Sequence, residues 1–543
     1  RVPGLLIALM LGESSYISPE EWKILSDTGT NHLFIISGLH VGLVTAAFYR
    51  LALLVVGRRS AAMVSLLLAF LYGMVAGMGL PVQRALIMTS VAVLGATARR
   101  NVPVPDLYCY ALLGVTLVDP LAMLSSGFWL SFGAVFSLLY VFAGRTGRDR
   151  SWLGWLMTAI GTQWVVFIGM LPWLLYLVFQ VSLVSFLVNL VAIPWIGILV
   201  VPPLLLAMFG VISDGLFALL LGIANGFLEL IWQLLSRVAE QRLVFFAGAI
   251  DTVCLVSGVL GSIVLLSPKG FVPRWPGVIL MVPLFTVVPD RPAEGELEMT
   301  VLDVGQGLSV FMRTHDGAVL YDAGPRFGDR FDAGEQIVVP TVRRSGISRL
   351  QAFVISHTDM DHAGGAAAVL ANLPAGRVYV SEVNPGPGAV PCNRDESWEL
   401  DGVLFRIIAA DRTGSGTNNR SCIMLVKGRG YTVLLPGDIE RSVETRLAVS
   451  VPRFIDVLLA PHHGSRSSSS PGFLNHVMAD TVIVSAGYRN RFNHPDPGVV
   501  RRYLARNARV LSTAEAGAIK LRLGNGVREI ELARVEYPRY WYD

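Results

Sequence analysis

Long apolar runs separated by short polar stretches dominate the first 290 residues. A run of about 20 apolar residues is long enough to cross a bilayer as a helix. We predict nine or ten membrane segments, with candidate spans at Phe34–Val56, Ala61–Leu80, Val82–Ala98, Leu107–Met123, Phe128–Ala143, Trp152–Phe179, Ser182–Gly210, Ile212–Leu235, Leu243–Leu266 and a short one near Val278–Val288. The pattern predicts a polytopic α-helical membrane domain at residues 34–290.

Four prolines interrupt the predicted spans: Pro172, Pro194, Pro202 and Pro203. Broken helices are tolerated where the freed backbone groups line a cavity or meet neighbouring helices. The prolines are therefore consistent with a pathway through the membrane and equally with ordinary helix kinks.

Residues 297–543 show a different pattern, in which short apolar strands alternate with helical segments such as Ile439–Ser450. The strand-like runs begin at Glu298, Leu308, Ala318, Leu350, Tyr431, Phe454 and Thr481. Several of them end in a turn that carries Asp or His. This arrangement predicts two sheets packed between helices, with candidate ligands along one edge.

Residues 1–33 precede the first long apolar run. Val2–Leu11 is too short to span a bilayer. Ser18-Pro-Glu-Glu21 predicts the start of a helix, because Ser is a favoured N-cap and Pro is favoured at the first helical position. Since the chain starts at Arg1 without a methionine, we expect this segment to be an amphipathic or re-entrant lead-in that follows an upstream region.

Composition agrees with a membrane domain fused to a soluble one. The chain is 53% hydrophobic and only 15% charged, and between Trp152 and Ser236 the charged residues are Asp214 and Glu229 alone. The net charge of +4 is too small to indicate a partner.

Loop charges and cysteines bear on orientation. The basic loops at Arg58-Arg59, Arg99-Arg100 and Arg145–Arg150 fall on one side if the first five spans alternate, and that side is expected to be cytoplasmic. Beyond the fifth span the count leaves both sides open for the soluble domain. Cys392 and Cys422 could form a disulfide if that domain faces an oxidising compartment, which favours the outer, periplasmic face of a bacterial cytoplasmic membrane.

The richest candidate chemistry lies in the segment that starts at His357, directly after the buried strand-like run Leu350–Ser356. Asp359, Asp361 and His362 follow within six residues. Four such side chains cannot all reach one ion comfortably, so the spacing indicates two adjacent metals, which together can activate a water and stabilise both oxygens of a displacement. The alternative is a polar loop that is rich in His and Asp by chance.

Four polar residues within the apolar region are channel candidates: His32, His40, Arg84 and Asp119. Ionisable groups inside a membrane are costly and usually face protein or water. For Arg84 the alternative is extension of the side chain to the interface. For His40 the alternative is a hydrogen bond between packed helices.

The soluble domain resembles the metallo-β-lactamase fold. That pattern places an Asp at a strand end, here Asp322, before a His-x-His-x-Asp-His loop, here the segment from His357. The pattern continues with a lone His and then a bridging Asp after a strand, which is Asp438 here. It ends with a late His, which is His494 here.

The chain departs from this pattern twice. Asp359 stands where the second loop histidine is expected. No histidine lies between His362 and His462, so the lone His of the pattern is absent, and Gly416–Ser421 occupies that region.

Both departures fit a narrower family. The motifs in the soluble part are Asp-Val-Gly-Gln-Gly (303–307), His-Thr-Asp-Met-Asp-His-Ala-Gly-Gly (357–365), Asn-Asn-Arg-Ser (418–421), Gly-Asp-Ile-Glu (437–440) and Pro-His-His-Gly-Ser (461–465). Those in the membrane part are Gly-Thr-Asn-His-Leu (29–33), Ile-Ser-Gly-Leu-His-Val-Gly (36–42), Arg-Ala (84–85), Asp-Pro-Leu (119–121) and Gly-Phe-Trp-Leu-Ser-Phe-Gly-Ala (127–134). Over nearly its whole length the chain resembles the ComEC-type competence proteins, which implies an αβ/βα metallo-β-lactamase-like domain at residues 297–543.

The resemblance implies DNA uptake in natural transformation. A membrane channel would pass one DNA strand while the metallo-domain, as a metal-dependent phosphodiesterase or DNase, degrades the other. The partners implied are DNA and membrane lipid, together with a DNA receptor and a cytoplasmic translocase, and an oligomer is compatible with this scheme.

The resemblance also assigns roles by position. Candidate metal ligands are His357, Asp359, Asp361, His362, Asp438 and His494; candidate catalytic residues are Asp361, His462 and His463; supporting residues are Asp303, Asp322, Asn419 and Ser421. We expect Asp438 to bridge two divalent ions, with His357 and Asp359 on one and Asp361, His362 and His494 on the other. Replacing imidazole by carboxylate favours Mn²⁺, with Mg²⁺ or Zn²⁺ as alternatives.

The histidine pair and the overall function leave alternatives. His462 or His463 could protonate the leaving oxygen, act as a further ligand, or support a ligand through a hydrogen bond. The protein could also be a membrane-anchored metallohydrolase for another ester. A third reading is a transporter whose metallo-domain is inactive, because the lone histidine is missing.

Overall fold

The structure is a computed structural model. It describes residues 3–98, 102–143, 151–209, 213–248, 250–268, 270–287, 289–328, 331–381, 388–392, 395–408 and 416–538. The chain divides into two units, Arg1–Val287 and Val288–Asp543. Two basic loops used for orientation, Arg99-Arg100 and Arg145–Arg150, lie outside the described residues.

The first unit is built from helices. They are Pro3–Leu11, Pro19–Thr28, Asn31–Phe34, Gly38–Ala52, Arg58–Val75, Leu80–Thr97, Val104–Val118, Ser126–Phe142, Trp152–Leu177, Ser185–Trp195 with its continuation to Phe209, Asp214–Ala239, Thr252–Leu266, Trp275–Met281 and Pro283–Thr286. Five described helices are long and apolar enough to cross a membrane: Arg58–Val75, Leu80–Thr97, Trp152–Leu177, Ser185–Ala207 and Asp214–Ala239. Four shorter apolar helices accompany them, at Val104–Val118, Ser126–Phe142, Thr252–Leu266 and Trp275–Thr286, so nine or ten crossings stays a prediction.

Two expected spans are shorter than their apolar runs. In Leu243–Leu266 the helix begins only at Thr252, where the Asp251 carboxylate accepts a hydrogen bond from Cys254 N at 2.7 Å and caps it. Val244–Phe246, rich in β-branched and aromatic residues, instead forms a strand antiparallel to Gln180–Ser182. The first apolar run likewise contains a helix only at Gly38–Ala52.

The segment at 1–33 packs into the helical unit. Ser18 caps the helix Pro19–Thr28 as expected: its hydroxyl accepts from Glu21 N at 3.2 Å, and the Glu21 carboxylate accepts from Ser18 N at 2.8 Å. Leu5, Leu9 and Leu25 are buried in one apolar cluster with residues of Ser185–Ala207. The segment is thus part of the core of this unit.

The prolines stay within helices. Trp152–Leu177 continues through Pro172, and Ser185–Trp195 continues through Pro194. A π-helical turn at Ile196–Val200 follows Pro194, and such turns absorb the hydrogen bond that a proline removes. These observations are compatible with both a pathway and ordinary kinks.

The second unit contains two large sheets. In spatial order, the eight-stranded sheet is Ala389–Pro391, Ala375–Val380, Leu350–Ile355, Ala318–Tyr321, Val310–Arg313, Leu297–Val301, Ile519–Leu523 and Val527–Leu532. The seven-stranded sheet is Glu396–Leu400, Val403–Ile408, Ile423–Gly428, Tyr431–Leu435, Phe454–Leu459, Met478–Val484 and Arg509–Ser512. A two-stranded hairpin, Arg326–Phe327 with Phe331–Asp332, is separate.

The sheets face each other across one apolar core and carry helices on their outer faces. Met299, Val354 and Phe405, from the two sheets, are fully or almost fully buried in this shared core. The helices of the second unit are Gly334–Arg344 (whose first turn is π-helical), Met360–Ala363, Ala366–Asn372, Arg441–Ser450, Pro471–His476, Pro497–Leu504, Thr513–Ala516 and Ala533–Glu536. The expected arrangement of two sheets between helices is observed.

Cys392 and Cys422 form a disulfide that joins the two sheets. Cys392 follows the edge strand Ala389–Pro391, and Cys422 precedes Ile423–Gly428. Cys109 and Cys254, in the helical unit, are free.

Candidate metal centre

The His357 loop is anchored by a buried carboxylate on the neighbouring strand. Strands Ala318–Tyr321 and Leu350–Ile355 run parallel, so both end at the same edge. Asp322 follows the first with φ +60°, and its carboxylate accepts from Ser356 N at 2.6 Å and from Ser356 Oγ at 2.7 Å. These bonds fix the start of the loop that carries the predicted ligands.

The same carboxylate orients His362. Asp322 Oδ2 lies 2.8 Å from His362 Nδ1, and both side chains are fully buried. A carboxylate partner requires Nδ1 to carry the proton, which leaves Nε2 as the atom directed at the centre. Asp322 therefore sets the tautomer of a candidate ligand.

His463 reaches the centre from the second sheet. Strand Phe454–Leu459 leads into the turn Pro461–Gly464, where both histidines have positive φ, 51° and 53°. His463 Nδ1 donates to Ser485 O at 2.8 Å, and its Nε2 lies 3.1 Å from Nε2 of His362. The turn thus places imidazoles from opposite sheets against each other.

Asp438 lies between these imidazoles. Its Oδ1 is 3.3 Å from His362 Nε2, its Oδ2 is 3.5 Å from His463 Nε2, and its side chain is 6% exposed. Its backbone N donates to Ser421 Oγ at 3.1 Å. One carboxylate therefore presents an oxygen to each side of the cluster.

Two overlapping groups of residues could each hold a metal ion. His357, His362 and Asp438 form a fully buried group, and Asp361, His362 and His463 form a second, and within each group the ligand atoms lie within 4.8 Å of one another. Asp361 Oδ2 is 3.3 Å from His463 Nε2. The mixture of imidazole and carboxylate donors suits first-row divalent ions.

The carboxylate and imidazole groups of this cluster strongly shift one another's pKa values. Burial works to raise the pKa of Asp438, but His362 and His463 outweigh it and hold that pKa well below its usual value. Burial works to lower the pKa of His362, but Asp438 and Asp322 outweigh it and raise that pKa well above the usual value. The pKa of His463 is also raised, against burial, by Asp438 and by its hydrogen bond with Asp361. The cluster is thus built to hold positive charge.

His357 provides the test of whether a metal fits. Burial, followed by the proximity of His362, lowers its pKa, so the ring is neutral at neutral pH. Its Nδ1 contacts Ser356 Oγ at 3.0 Å, whereas its buried Nε2 has no hydrogen-bond partner among the described residues. A buried, unsatisfied imidazole nitrogen beside a carboxylate is what a metal ligand requires, so the donors fit a divalent ion.

The structure groups the predicted ligands differently from our expectation. We expected His494 to complete the second site with Asp361 and His362, whereas the second three-residue group contains His463. The role of His494, whose buried Nδ1 has no hydrogen-bond partner among the described residues, stays a prediction. The ring of His494 stacks on His462, with centroids 6.0 Å apart.

Asp359 and His462 lie at the rim. Asp359 Oδ2 is 3.6 Å from His357 Nε2, but the carboxylate is 43% exposed and belongs to neither three-residue group. His462 Nε2 is 3.9 Å from Asp438 Oδ2, and its side chain is 23% exposed. Its Nδ1 lies 3.1 Å from Ser467 Oγ, so the partly exposed ring has a hydrogen-bond partner.

Two of the predicted supporting residues, Asn419 and Ser421, form hydrogen bonds with backbone groups near Asp438. Asn419 Oδ1 accepts from Glu440 N at 3.0 Å, and Ser421 links Asp438 N to Asn418 O through its hydroxyl. Asp303 forms a 2.8 Å ion pair with Arg534. These contacts place the 418–421 segment beside the ligands, in the region where the fold pattern expects a histidine.

Residues that our sequence reasoning did not single out also position ligands. Ser356 contacts Asp322, His357 and His362, and Ser485 O fixes His463. A serine directly before a ligand histidine offers a weak signal. A backbone carbonyl offers none, because any residue supplies one.

The channel candidates divide into two buried and two more exposed residues. His40 is 1% exposed; its Nδ1 accepts from Ser37 N at 3.2 Å, and its Nε2 has no partner among the described residues. Arg84 is 8% exposed, which argues against extension to the interface, and its Nη1 lies 3.5 Å from Ser125 Oγ. His32 is exposed, and Asp119 accepts from Leu121 N at a helix end.

Gly127 makes room for the buried guanidinium. A Cβ there would lie 2.7 Å from Arg84 Nη2. The glycine in the 127–134 motif is therefore explained by close approach of Arg84.

Two sheets between helices, with a buried His/Asp cluster where strands end, define a domain of the metallo-β-lactamase class, whose chemistry is metal-dependent hydrolysis.

Residues 302–475 match the metallo-beta-lactamase superfamily, and residues 9–269 match the competence protein family. The chain is 34% identical to Competence protein ComA of Neisseria gonorrhoeae over 99% of this chain and 77% of that protein. It is 30% identical to Recombination protein 2 of Haemophilus influenzae (99% and 74%) and 27% identical to ComE operon protein 3 of Bacillus subtilis (99% and 73%). The chain therefore belongs to the competence protein family.

Proposed function

We propose that this protein takes up DNA across the bacterial cytoplasmic membrane. The helical unit passes a single strand, and the second unit cleaves the other strand as a metal-dependent nuclease. The observation that carries the proposal is the buried cluster of His357, His362, Asp438 and His463 in a chain of the competence family.

The proposed nuclease holds two divalent ions, with Asp438 shared between the sites. Bound ions would stabilise the negative charge that develops on the phosphate during hydrolysis. Mn²⁺ is the proposed ion, with Mg²⁺ or Zn²⁺ as alternatives, because Asp361 and Asp438 supply oxygen donors beside the imidazoles.

The protein's own residues divide the remaining work. Asp322, through His362 Nδ1, keeps the Nε2 of that ligand directed inward. His462 is proposed as the proton donor to the leaving oxygen, because it is partly exposed and lies within 3.9 Å of Asp438.

In the helical unit, Arg84 and His40 are proposed to line the path of the strand. Support comes from their burial and from nitrogen atoms that lack a partner among the described residues, namely Arg84 Nε and His40 Nε2. Buried cationic or polar groups without partners are costly in a membrane unless they meet water or a ligand. A phosphodiester backbone would satisfy the arginine.

The uptake experiment follows labelled DNA into competent cells. Arg84→Ala should strongly reduce entry of a strand, whereas Arg59→Ala, at the exposed start of helix Arg58–Val75, should leave entry unchanged. Asp438→Asn should leave the second strand undegraded. Normal entry in Arg84→Ala cells would contradict the channel. Normal degradation in Asp438→Asn cells would contradict the nuclease and favour a transporter with an inactive metallo-domain.

The second unit is proposed to lie on the outer face of the membrane. The disulfide between Cys392 and Cys422 supports this placement, because disulfides persist in oxidising compartments. There the nuclease would meet incoming DNA before the strand enters the helical unit. A DNA receptor and a cytoplasmic translocase are proposed partners.

A further inference from the structure

A surface loop beside the metal centre combines exposed aromatic rings with arginines. In the segment Gly487–His494, called here the aromatic–arginine loop, Tyr488 is 59% exposed and Phe492 is 51% exposed. The guanidinium carbon of Arg489 lies 5.1 Å from the centre of the Tyr488 ring, and that of Arg491 lies 4.7 Å from the centre of the Phe492 ring. Large exposed rings flanked by cations are unexpected on a surface that contacts water alone.

The half-buried side chain of Asn490 holds the loop in one shape. Asn490 Nδ2 donates to Gly487 O at 2.9 Å and to His494 O at 2.6 Å, and its Oδ1 accepts from His494 N at 2.9 Å. Gly487 N donates to Gln306 Oε1 at 3.3 Å. The rings are therefore presented by a braced loop, which lowers the entropic cost of binding to them.

A row of rings connects the loop to the centre. The centroids of Phe492 and His494 are 5.8 Å apart, and those of His494 and His462 are 6.0 Å apart. His462 in turn lies 3.9 Å from a carboxylate oxygen of Asp438. A strand with a base stacked on Phe492 would therefore be directed along this row of rings toward the candidate ligands.

The arginines supply matching charge. In the described part of the chain, neither Arg489 nor Arg491 forms an ion pair, and both are exposed. Arg534, paired with Asp303, also lies 6.0 Å from the centre of the Tyr488 ring. Unpaired guanidinium groups attract phosphates, and the exposed parts of the Tyr488 and Phe492 rings remain accessible to bases.

We propose that the aromatic–arginine loop binds the unpaired bases of single-stranded DNA and so directs the metal centre toward unpaired strands. The inference rests on the proposed nuclease function and specifies its substrate. Stacking on an aromatic ring needs an open base face, which a duplex does not offer without unstacking. Stacking is also tolerant of sequence, so the preference is for strand state and not for particular bases.

The first test is photocrosslinking with metal chelated by EDTA, so that no cleavage occurs. The full-length chain in detergent is irradiated with an oligonucleotide that carries 5-iododeoxyuridine, and the adducts are mapped by mass spectrometry. We expect adducts on Tyr488 or Phe492 with the single strand and a strong reduction with the same sequence as a duplex. Adducts confined to other residues would overturn the inference.

The second test measures cleavage of single-stranded and duplex DNA by the full-length chain. The double variant Tyr488→Ala/Phe492→Ala should raise KM for the single strand about tenfold or more, since each stacked base contributes a factor of that order. Tyr488→Phe/Phe492→Tyr, which keeps both rings, should restore KM. Phe454→Ala is the matched control, because Phe454 is 69% exposed and begins the strand whose opposite end leads to the histidine turn. An unchanged single-strand KM in the double alanine variant would overturn the inference.

The two tests separate failure of the inference from failure of the proposed function. Hydrolysis of bis(p-nitrophenyl) phosphate by the wild-type chain measures the activity of the metal centre on a phosphodiester that carries no nucleobase. If that hydrolysis and DNA cleavage are both absent while crosslinks still map to the loop, the nuclease proposal fails and the binding inference stands. If cleavage occurs and the loop is neither crosslinked nor sensitive to substitution, the inference alone fails.

Discussion

Each buried histidine of the centre is fixed at one ring nitrogen, and this determines where the other points. His362 is held by Asp322 and His463 by the carbonyl of Ser485. His357 contacts Ser356 Oγ in the same way. Because one ring nitrogen of each histidine is hydrogen-bonded to the surrounding protein, the other nitrogens point toward a common centre. The ligand geometry is therefore in place before any ion binds.

Substituting Asp322 tests whether its contact with His362 orients that ring for metal binding. Asp322→Asn removes the acceptor that holds His362 Nδ1 and should lower Mn²⁺ affinity by roughly 10- to 100-fold, as is typical for partners behind a ligand. Asp480→Asn, an exposed carboxylate on Met478–Val484, is the control and should bind normally. Titration calorimetry on folded, full-length protein provides the measurement. Wild-type affinity in Asp322→Asn would show that His362 needs no support.

Proton release tests the electrostatics of the centre. The raised pKa values of His362 and His463 favour a proton on this pair of rings in the metal-free protein. Metal must displace that proton, so apparent affinity should rise from about pH 6 to about pH 8, with protons released on binding. Calorimetry in buffers of different ionisation enthalpy counts those protons. Affinity independent of pH across this range would contradict the assignment of these histidines as ligands.

At the scale of elements, the loop at 303–307 joins the ligand loop to the second sheet. Gly307 has φ +145°, and a Cβ there would lie 2.3 Å from Asp361 O. Leu308 N donates to that same oxygen at 3.1 Å, and Ser485 Oγ donates to Gly307 O at 2.7 Å. This glycine is required because two backbones meet at it.

Gly307→Ala should push the Asp361 backbone away and destabilise the protein by about 1–3 kcal/mol. Gly305→Ala is a matched control in the same loop: Gly305 also has positive φ, but a Cβ there meets nothing within 4 Å. The difference between the two variants in metal affinity therefore isolates the close approach. Equal affinities would mean that the contact does not position Asp361.

The sequence predicts most elements of the second unit but not how the strand ends of the two sheets bring particular side chains together. Strand Phe454–Leu459 and the loop at His357 could be predicted, because apolar runs end directly in Asp or His. The close approach of His463 to His362 could not, because it depends on two positive-φ residues in one turn. In the helical unit, Val244–Phe246 was hidden within an apolar run, since hydropathy alone does not distinguish a strand from part of a span.

At the scale of the whole molecule, the proposed outer location of the second unit predicts that its disulfide persists in cells. A disulfide that closes a loop typically stabilises a fold by about 2–4 kcal/mol. In intact cells, Cys392 and Cys422 should resist a maleimide reagent until a reductant is added. Free thiols at both positions in freshly isolated protein would contradict an outer location.

Coupling of transport to cleavage depends on the metal centre being a working nuclease. The most direct measurement strips the purified full-length chain of metal and follows labelled DNA as Mn²⁺, Mg²⁺ or Zn²⁺ is returned, with Asp438→Asn as the matched variant. The account predicts that cleavage reappears with Mn²⁺ in the wild-type chain and stays absent in Asp438→Asn. No cleavage by the wild-type chain with any of the three ions, or equal cleavage by the variant, would contradict it.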